Sequence, residues 1–175
     1  MPIVRQDAAH VLTLTLDEPD RRNALSAALL GEFVAELSAA AQEGMRAVIV
    51  QASPAGGVWS AGHDIDELPQ GDRDPLTWDN PLEEALRAVR DAPFPVIAAV
   101  DGSVWGGACD LVLTCDLVVA VRTASFAITP TRLGIPYNTG RRQPLRQCPA
   151  LACGPRRCSS PPIPSPPNRP PCTGS

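Results

Sequence analysis

The apolar positions of this chain switch repeatedly between the two-residue period of a β-strand and the longer period of an α-helix. Residues 11–16 alternate apolar with polar side chains and predict a strand. A helix is predicted between Ser26, a typical N-cap residue, and Gly44, which breaks the pattern. The inward face of this helix consists of apolar residues at helical spacing, namely Leu29, Leu30, Phe33, Val34 and Leu37.

The two periods continue to alternate after this helix. Short apolar runs predict strands at 47–51, 96–100 and 117–121. Helices are predicted at 81–90 and, after a glycine turn, at 110–114. Strands that alternate with helices imply an α/β fold with crossover connections.

The pattern stops at Gly140. Residues 141–175 hold ten of the twenty Pro and four of the six Cys, without helical or strand periodicity. Such a segment buries too little apolar surface to offset the entropy of ordering it. We therefore expect a core at residues 1–140 and, at 141–175, a tail that is disordered or read in a shifted frame. The cysteines show no paired Cys-x-x-Cys spacing, which argues against a metal site.

Charge and hydropathy argue against nucleic acid and membrane as the main partners of this chain. Residues 1–140 carry nine Arg and all nineteen acidic residues, net −10, whereas residues 141–175 carry six Arg and no acid. An acidic core argues against nucleic acid as the main partner, although the basic tail could act as a binding arm. No run of 18 apolar residues predicts a membrane span, and the N-terminus lacks the order of a secretory signal. A cytoplasmic bacterial enzyme is expected.

Two glycine turns, each after an apolar run and before a predicted helix, carry the clearest chemical signal. The first reads Ser-Ala-Gly-His-Asp-Ile from position 60, and the second reads Gly-Ser-Val-Trp-Gly-Gly-Ala-Cys-Asp-Leu from position 102. Helix starts leave N–H groups without intrahelical partners, and glycine lets a ligand approach the backbone. We predict that the backbone amides of His63 and Gly107 form an oxyanion hole. The alternative for His63 is an ordinary turn histidine.

These turns, with the motif Arg-Asn-Ala-Leu-Ser from position 22 and the apolar runs at 95–100 and 115–120, resemble the crotonase (enoyl-CoA hydratase/isomerase) family over about residues 1–140. The resemblance implies stacked ββα units that form a spiral, assembled as a homotrimer or hexamer. It also implies an acyl-CoA substrate whose thioester carbonyl sits in the oxyanion hole, with no metal and no cofactor apart from the CoA of the substrate. The substrate contacts that it implies are Arg22, Ala24, Ala61, Gly62, Ile65, Trp105 and Gly106. Core packing for Trp105 and a solvated turn for Arg22 are the alternatives.

A narrower resemblance concerns the reaction. The motifs around Gly62, Gly106 and 129–138 are similar to the methylmalonyl-CoA decarboxylase branch of the family. In hydratases, the position of Asp110 is a catalytic Glu, and a second catalytic Glu stands where this chain has Pro130. Decarboxylation needs no base to begin, and Thr129 and Tyr137, which match the decarboxylase-like pattern, offer hydroxyls suited to protonating the enolate. A solvated helix-start acid is the alternative for Asp110, and plain packing is the alternative for Tyr137 and Thr129.

The predicted function is therefore decarboxylation of methylmalonyl-CoA to propionyl-CoA through a thioester enolate held in the oxyanion hole. An enoyl-CoA hydratase or isomerase is one alternative, against which Pro130 argues. The other is an inactive truncated fragment that only binds acyl-CoA, which the change of composition after Gly140 favours.

The abrupt change of composition gives a prediction about the gene. If a frameshift explains residues 141–175, resequencing the DNA across the codon for Gly140 shows an inserted or deleted base. An unchanged coding sequence there would instead support a natural Pro-rich tail.

Overall fold

The computed structural model describes residues 2–53, 56–67 and 80–128, with the backbone alone at position 65. Within these ranges the strands and helices follow one another along the chain with short connections. They are β1 (Ile3–Ala8), β2 (Val11–Leu16), α1 (Ala27–Gln42), β3 (Ala47–Ala52), β4 (Val58–Ser60), α2 (Pro81–Arg90), β5 (Val96–Val100), β6 (Ser103–Trp105), α3 (Gly107–Thr114), β7 (Leu117–Ala120) and β8 (Ser125–Ala127). The predicted segment 141–175 lies outside the described residues.

The strands form two sheets. The larger sheet has the order β1-β2-β3-β5-β7, in which β1 is antiparallel to β2 and the remaining pairs are parallel. The smaller sheet has the order β4-β6-β8, with both pairs parallel. Parallel neighbours require crossover connections, which α1, α2 and α3 provide.

The chain therefore repeats one unit of two strands and a helix. In each unit the first strand (β3, β5 or β7) joins the larger sheet and the second strand (β4, β6 or β8) joins the smaller one. Helices α2 and α3 follow the first two of these strand pairs, and α2 packs against both α1 and α3. This arrangement confirms the predicted α/β fold of stacked ββα units.

The apolar side chains that alternate along the strands and recur at helical spacing along α1 pack in one hydrophobic core. In β2, Leu12, Leu14 and Leu16 are fully buried, and the intervening residues are only partly covered. The face of α1 that meets them consists of Leu29, Leu30, Phe33, Leu37 and Ala40. Ser26 caps α1 as predicted, because its Oγ accepts a hydrogen bond from the Leu29 amide at 3.2 Å.

The predicted elements agree with the structure where the periodic signal is long. The predicted helix at 81–90 and the predicted strands at 11–16 and 96–100 have the observed bounds. Helix α3 begins three residues earlier than predicted, at Gly107. Four strands were not predicted: β1, which alternates poorly, and the three-residue strands β4, β6 and β8.

Among the described residues, no helix combines the length and the apolar character that crossing a membrane requires.

Phe33 provides a test of this core. It is fully buried at the centre of the inward face of α1, so Phe33→Ala should lower the free energy of unfolding by about 3–5 kcal/mol through lost burial and a cavity. Ser38→Ala, on the exposed side of the same helix, should change it by less than about 0.5 kcal/mol. Urea unfolding followed by circular dichroism measures both values. Equal losses in the two variants would contradict the assigned inward face.

Candidate active site

The first glycine turn is held by a backbone ladder to the segment that precedes α1. The amide of Ala61 donates to the Arg22 carbonyl at 2.9 Å, and the amide of Leu25 donates to the Gly62 carbonyl at 2.8 Å. The amide of Asp64 donates to the Leu25 carbonyl at 3.4 Å. These bonds form an isolated parallel bridge between Leu25 and His63.

This bridge determines the direction of the His63 amide. In extended backbone, successive N–H and C=O groups point to opposite sides. The Gly62 carbonyl and the Asp64 amide both face Leu25. The N–H of His63, between them, therefore faces away from Leu25.

The second glycine turn connects β6 to α3. Gly106 has φ +51° and ψ −123°, a combination that residues with a Cβ rarely adopt. Its amide donates to the Ala127 carbonyl at 2.8 Å, which ties the turn to β8. Gly107 is the first residue of α3, so its N–H belongs to the turn of the helix that lacks intrahelical acceptors and carries partial positive charge.

The two turns are in contact. A Cβ added to Gly62 would lie 2.4 Å from the Trp105 oxygen and 3.3 Å from the Gly107 nitrogen. A Cβ added to Gly107 would lie 3.7 Å from the His63 nitrogen. Because a Cβ is about 2.5 Å from the nitrogen of its own residue, the His63 and Gly107 nitrogens are within roughly 6 Å of each other. One small acceptor fits such a separation, and donation by both amides to one oxygen stays a prediction.

Asp110 lies one turn along α3 from Gly107. It is only 5 % exposed, so the alternative of a solvated helix-start acid is wrong. Its own carbonyl accepts a hydrogen bond from the Thr114 hydroxyl at 2.7 Å. A buried carboxyl one turn from a predicted oxyanion hole is the kind of group that orients a substrate or a water molecule.

A sequence profile of the enoyl-CoA hydratase/isomerase family matches residues 6–147. The chain belongs to this family. Methylmalonyl-CoA decarboxylase of Escherichia coli K12 is 44 % identical over 116 residues, covering 66 % of this chain and 44 % of that protein. The 2,3-dehydroadipyl-CoA hydratase of the same strain is 38 % identical over 135 residues, covering 77 % of this chain and 52 % of that protein.

Solved structures agree with the family assignment. A crystal structure of methylmalonyl-CoA decarboxylase complexed with 2S-carboxypropyl-CoA superposes with a TM-score of 0.80 and 36 % identity, covering 84 % of this chain and 56 % of that one. Human enoyl-CoA hydratase domain-containing protein 3 superposes with a TM-score of 0.74 and 28 % identity, covering 83 % and 58 %. The chain spans about half the length of the curated relatives that it matches.

The predicted substrate contacts lie on both glycine turns and on the segment before α1. Arg22 and Ala61 are exposed next to each other on the ladder, and Ala24 is half-buried. Trp105 is 38 % exposed, so the alternative that it packs in the core is wrong. The core position belongs to Trp59, whose indole N–H donates to the Ala99 carbonyl at 2.8 Å.

Several predicted site residues fall outside the described part of the chain. These are Thr129 and Tyr137, together with the side chain of Ile65; Pro130, which marks the missing second glutamate, also lies there. Their predicted roles stay predictions.

Sequence reasoning gave no role to Asn23, which organises the ladder. Asn23 is fully buried and has φ +51°, a conformation that asparagine tolerates better than most residues. Its Nδ2 donates to the carbonyls of Ser53 (3.2 Å) and Trp59 (3.1 Å), and its Oδ1 accepts from the Glu18 amide at 2.9 Å. Its own carbonyl accepts from the Ser60 hydroxyl at 2.6 Å.

The cysteines near the site are poorly suited to nucleophilic chemistry. Cys109 and Cys115 donate through Sγ to the carbonyls of Val104 (3.3 Å) and Leu111 (3.4 Å). Burial, with a smaller contribution from the Asp116 charge, raises the pKa of the Cys115 thiol to about 12. Within the described ranges no group of three or more His, Cys, Asp or Glu side chains has the arrangement of a metal site.

The contact between the turns gives a prediction with a matched control. Gly62→Ala would incur the cost of positive φ and also force a Cβ against the Trp105 carbonyl, so the turns should separate and acyl-CoA binding should fall by at least about tenfold. Gly44→Ala has a similar φ, +71°, but open space around its Cβ. It should cost about 1–2 kcal/mol of stability and leave binding intact. Calorimetric titration with propionyl-CoA and urea unfolding measure the two effects, and equal binding by both variants would contradict the role of this contact.

Proposed function

We propose that this chain carries the thioester-binding part of an acyl-CoA decarboxylase that converts methylmalonyl-CoA to propionyl-CoA. The observation that carries the proposal is the juxtaposition of the His63 and Gly107 amides. The 44 % identity to a methylmalonyl-CoA decarboxylase over 116 residues supports this substrate class.

The proposed chemistry follows from the charge that the amides stabilise. When the bond between the α-carbon and the carboxylate breaks, carbon dioxide leaves and the electron pair passes into the thioester, which becomes an enolate. Its oxygen carries the negative charge, and two N–H donors with the positive end of α3 lower the energy of this state. A proton added to the α-carbon then gives propionyl-CoA.

The two steps, loss of carbon dioxide and protonation of the α-carbon, need different groups. No base is required, because loss of carbon dioxide itself supplies the electron pair. An acid or a positioned water must protonate the carbon, and Tyr137 and Thr129 are the proposed hydroxyls. We assign Asp110 to holding the substrate or a water molecule below the two amides, because it is buried one turn from Gly107.

Hydration of an enoyl-CoA is the second candidate, since a 2,3-dehydroadipyl-CoA hydratase is 38 % identical over 135 residues. Asp110 favours it, because hydratases use a carboxylate at this position. Addition of water needs both a base for the water and an acid for the α-carbon. Pro130 has no side-chain proton to exchange, so decarboxylation is preferred.

A third candidate is a chain that binds acyl-CoA without turnover. Strand β7 is the last described strand of the larger sheet, and Leu117 and Val119 on it are 57 % and 63 % exposed. Apolar surface of this kind promotes association. The chain as written should therefore aggregate or lack activity, which light scattering and a turnover assay test directly.

The decarboxylase proposal predicts a ratio of activities. A protein in which the reading frame after Gly140 is restored should release carbon dioxide from methylmalonyl-CoA at least about 100-fold faster than it hydrates crotonyl-CoA. Tyr137→Phe should lower kcat and leave propionyl-CoA binding nearly unchanged, as expected of a group that acts in the transition state. Chromatography of the acyl-CoA products measures both reactions. Efficient hydration without carbon dioxide release would overturn the proposal in favour of a hydratase.

A further inference from the structure

The acidic residue next to His63 is buried and paired. The carboxylate of Asp64 has a side-chain exposure of 6 %, and its Oδ2 accepts from Nη2 of Arg21, which lies 43 positions earlier in the chain. Its other oxygen, Oδ1, accepts from the Asp66 amide at 3.2 Å. Both oxygens of the carboxylate are thus engaged.

Asp64 and its neighbours connect the first glycine turn to the segment before α1. The Asp64 amide bonds to Leu25, and the Asp64 carbonyl accepts from the Glu67 amide at 3.3 Å. Glu67 in turn accepts through Oε2 from the amide of Ala27, the first residue of α1, at 2.6 Å. The bonds to Leu25 and Ala27 join residues 61–67 to the segment before α1 and to the first turn of α1, and the His63 N–H faces away from Leu25.

The negative charge of Asp64 would weaken an oxyanion site at the His63 amide, and Arg21 neutralises this charge. A carboxylate one residue from the His63 amide would oppose negative charge on an acceptor at that amide, and little solvent is present to screen it. The guanidinium of Arg21 is always protonated and cancels this charge. Arg21 also reaches Asp64 from a partly exposed position, so the pair is only partly desolvated.

We propose that Asp64, in its ion pair with Arg21, is the positioning residue of the His63 amide, and that Arg21 keeps the Asp64 carboxylate from opposing charge on the thioester oxygen. The neutralising role of Arg21 rests on the proposed function, whereas the positioning role of Asp64 does not. The positioning role depends on contacts within the described residues.

Hydrogen exchange of the full chain tests the positioning role without any ligand. Arg21→Met keeps an aliphatic stem but removes the charge, so amides in 61–67 should exchange at least about fivefold faster while those of α2 stay unchanged. Arg46→Met, at an exposed arginine before β3, is the matched control and should change neither region. Equal exchange in wild type and Arg21→Met would overturn the positioning role.

The carbonyl stretch of bound [1-¹³C]propionyl-CoA tests the electrostatic part. In wild type it should move to lower frequency than in free propionyl-CoA, and in Arg21→Met at least about half of this shift should be lost. Asp64→Asn and the double variant Arg21→Met/Asp64→Asn both lack the uncompensated charge, so both should retain more of the shift than Arg21→Met does. A double variant no better than Arg21→Met would overturn neutralisation by Arg21.

The two measurements separate this inference from the proposed function. If wild type produces no carbonyl shift, thioester binding in the predicted hole is wrong. The exchange comparison then still supports or overturns the positioning role by itself.

Discussion

The close approach of Gly62 to the Trp105 carbonyl is the constraint on which the rest of the site depends. A Cβ at position 62 would stand 2.4 Å from that oxygen, so only glycine permits the contact. The contact brings the end of one repeat against the beginning of the helix in the next. The distance between the His63 and Gly107 amides follows from it.

The repeat itself explains why two such turns meet. Strands β4 and β6 are parallel neighbours, so their carboxyl ends lie at the same edge of the smaller sheet. Each is followed within three residues by a glycine turn, at Gly62 after Ser60 and at Gly106 after Trp105. Ligand sites in parallel sheets are commonly found beyond the carboxyl ends of the strands. The predicted oxyanion hole is therefore a product of stacking one ββα unit on another.

Sequence predicted an element well when the apolar pattern of that element was long enough to show a period. Helix α2 and strand β5 have regular apolar positions, and their predicted bounds agree with the structure. A strand of three residues, such as β4 or β6, is too short to establish a period. The glycine turns were predicted as a pair because each follows an apolar run and precedes a predicted helix, and the family resemblance agreed with this. Their contact depends on the pairing of those short strands.

Polar contacts between distant positions of the chain could not be predicted, because sequence does not show which groups the fold brings together. Asp64 and Arg21 are 43 positions apart, and a charge in a loop does not identify its partner. Asn23 belongs to the motif Arg-Asn-Ala-Leu-Ser, but its three side-chain hydrogen bonds go to backbone groups, which are present at every residue. Only the fold determines which backbone groups are within reach.

The position of the two turns within the chain divides the proposed chemistry into two parts. The groups that would polarise the thioester are the His63 and Gly107 amides, with Asp110 one helical turn after Gly107. They lie in the first two ββα units, those that begin with β3 and β5, and the two turns are held by contacts within the described residues. The hydroxyls proposed to deliver the proton follow β8 in sequence. Polarisation of the carbonyl and protonation of the carbon thus depend on different stretches of the chain. A chain that contains only the first part would retain affinity for a thioester, because the two amides stabilise ground-state and enolate oxygens alike, although the enolate more strongly.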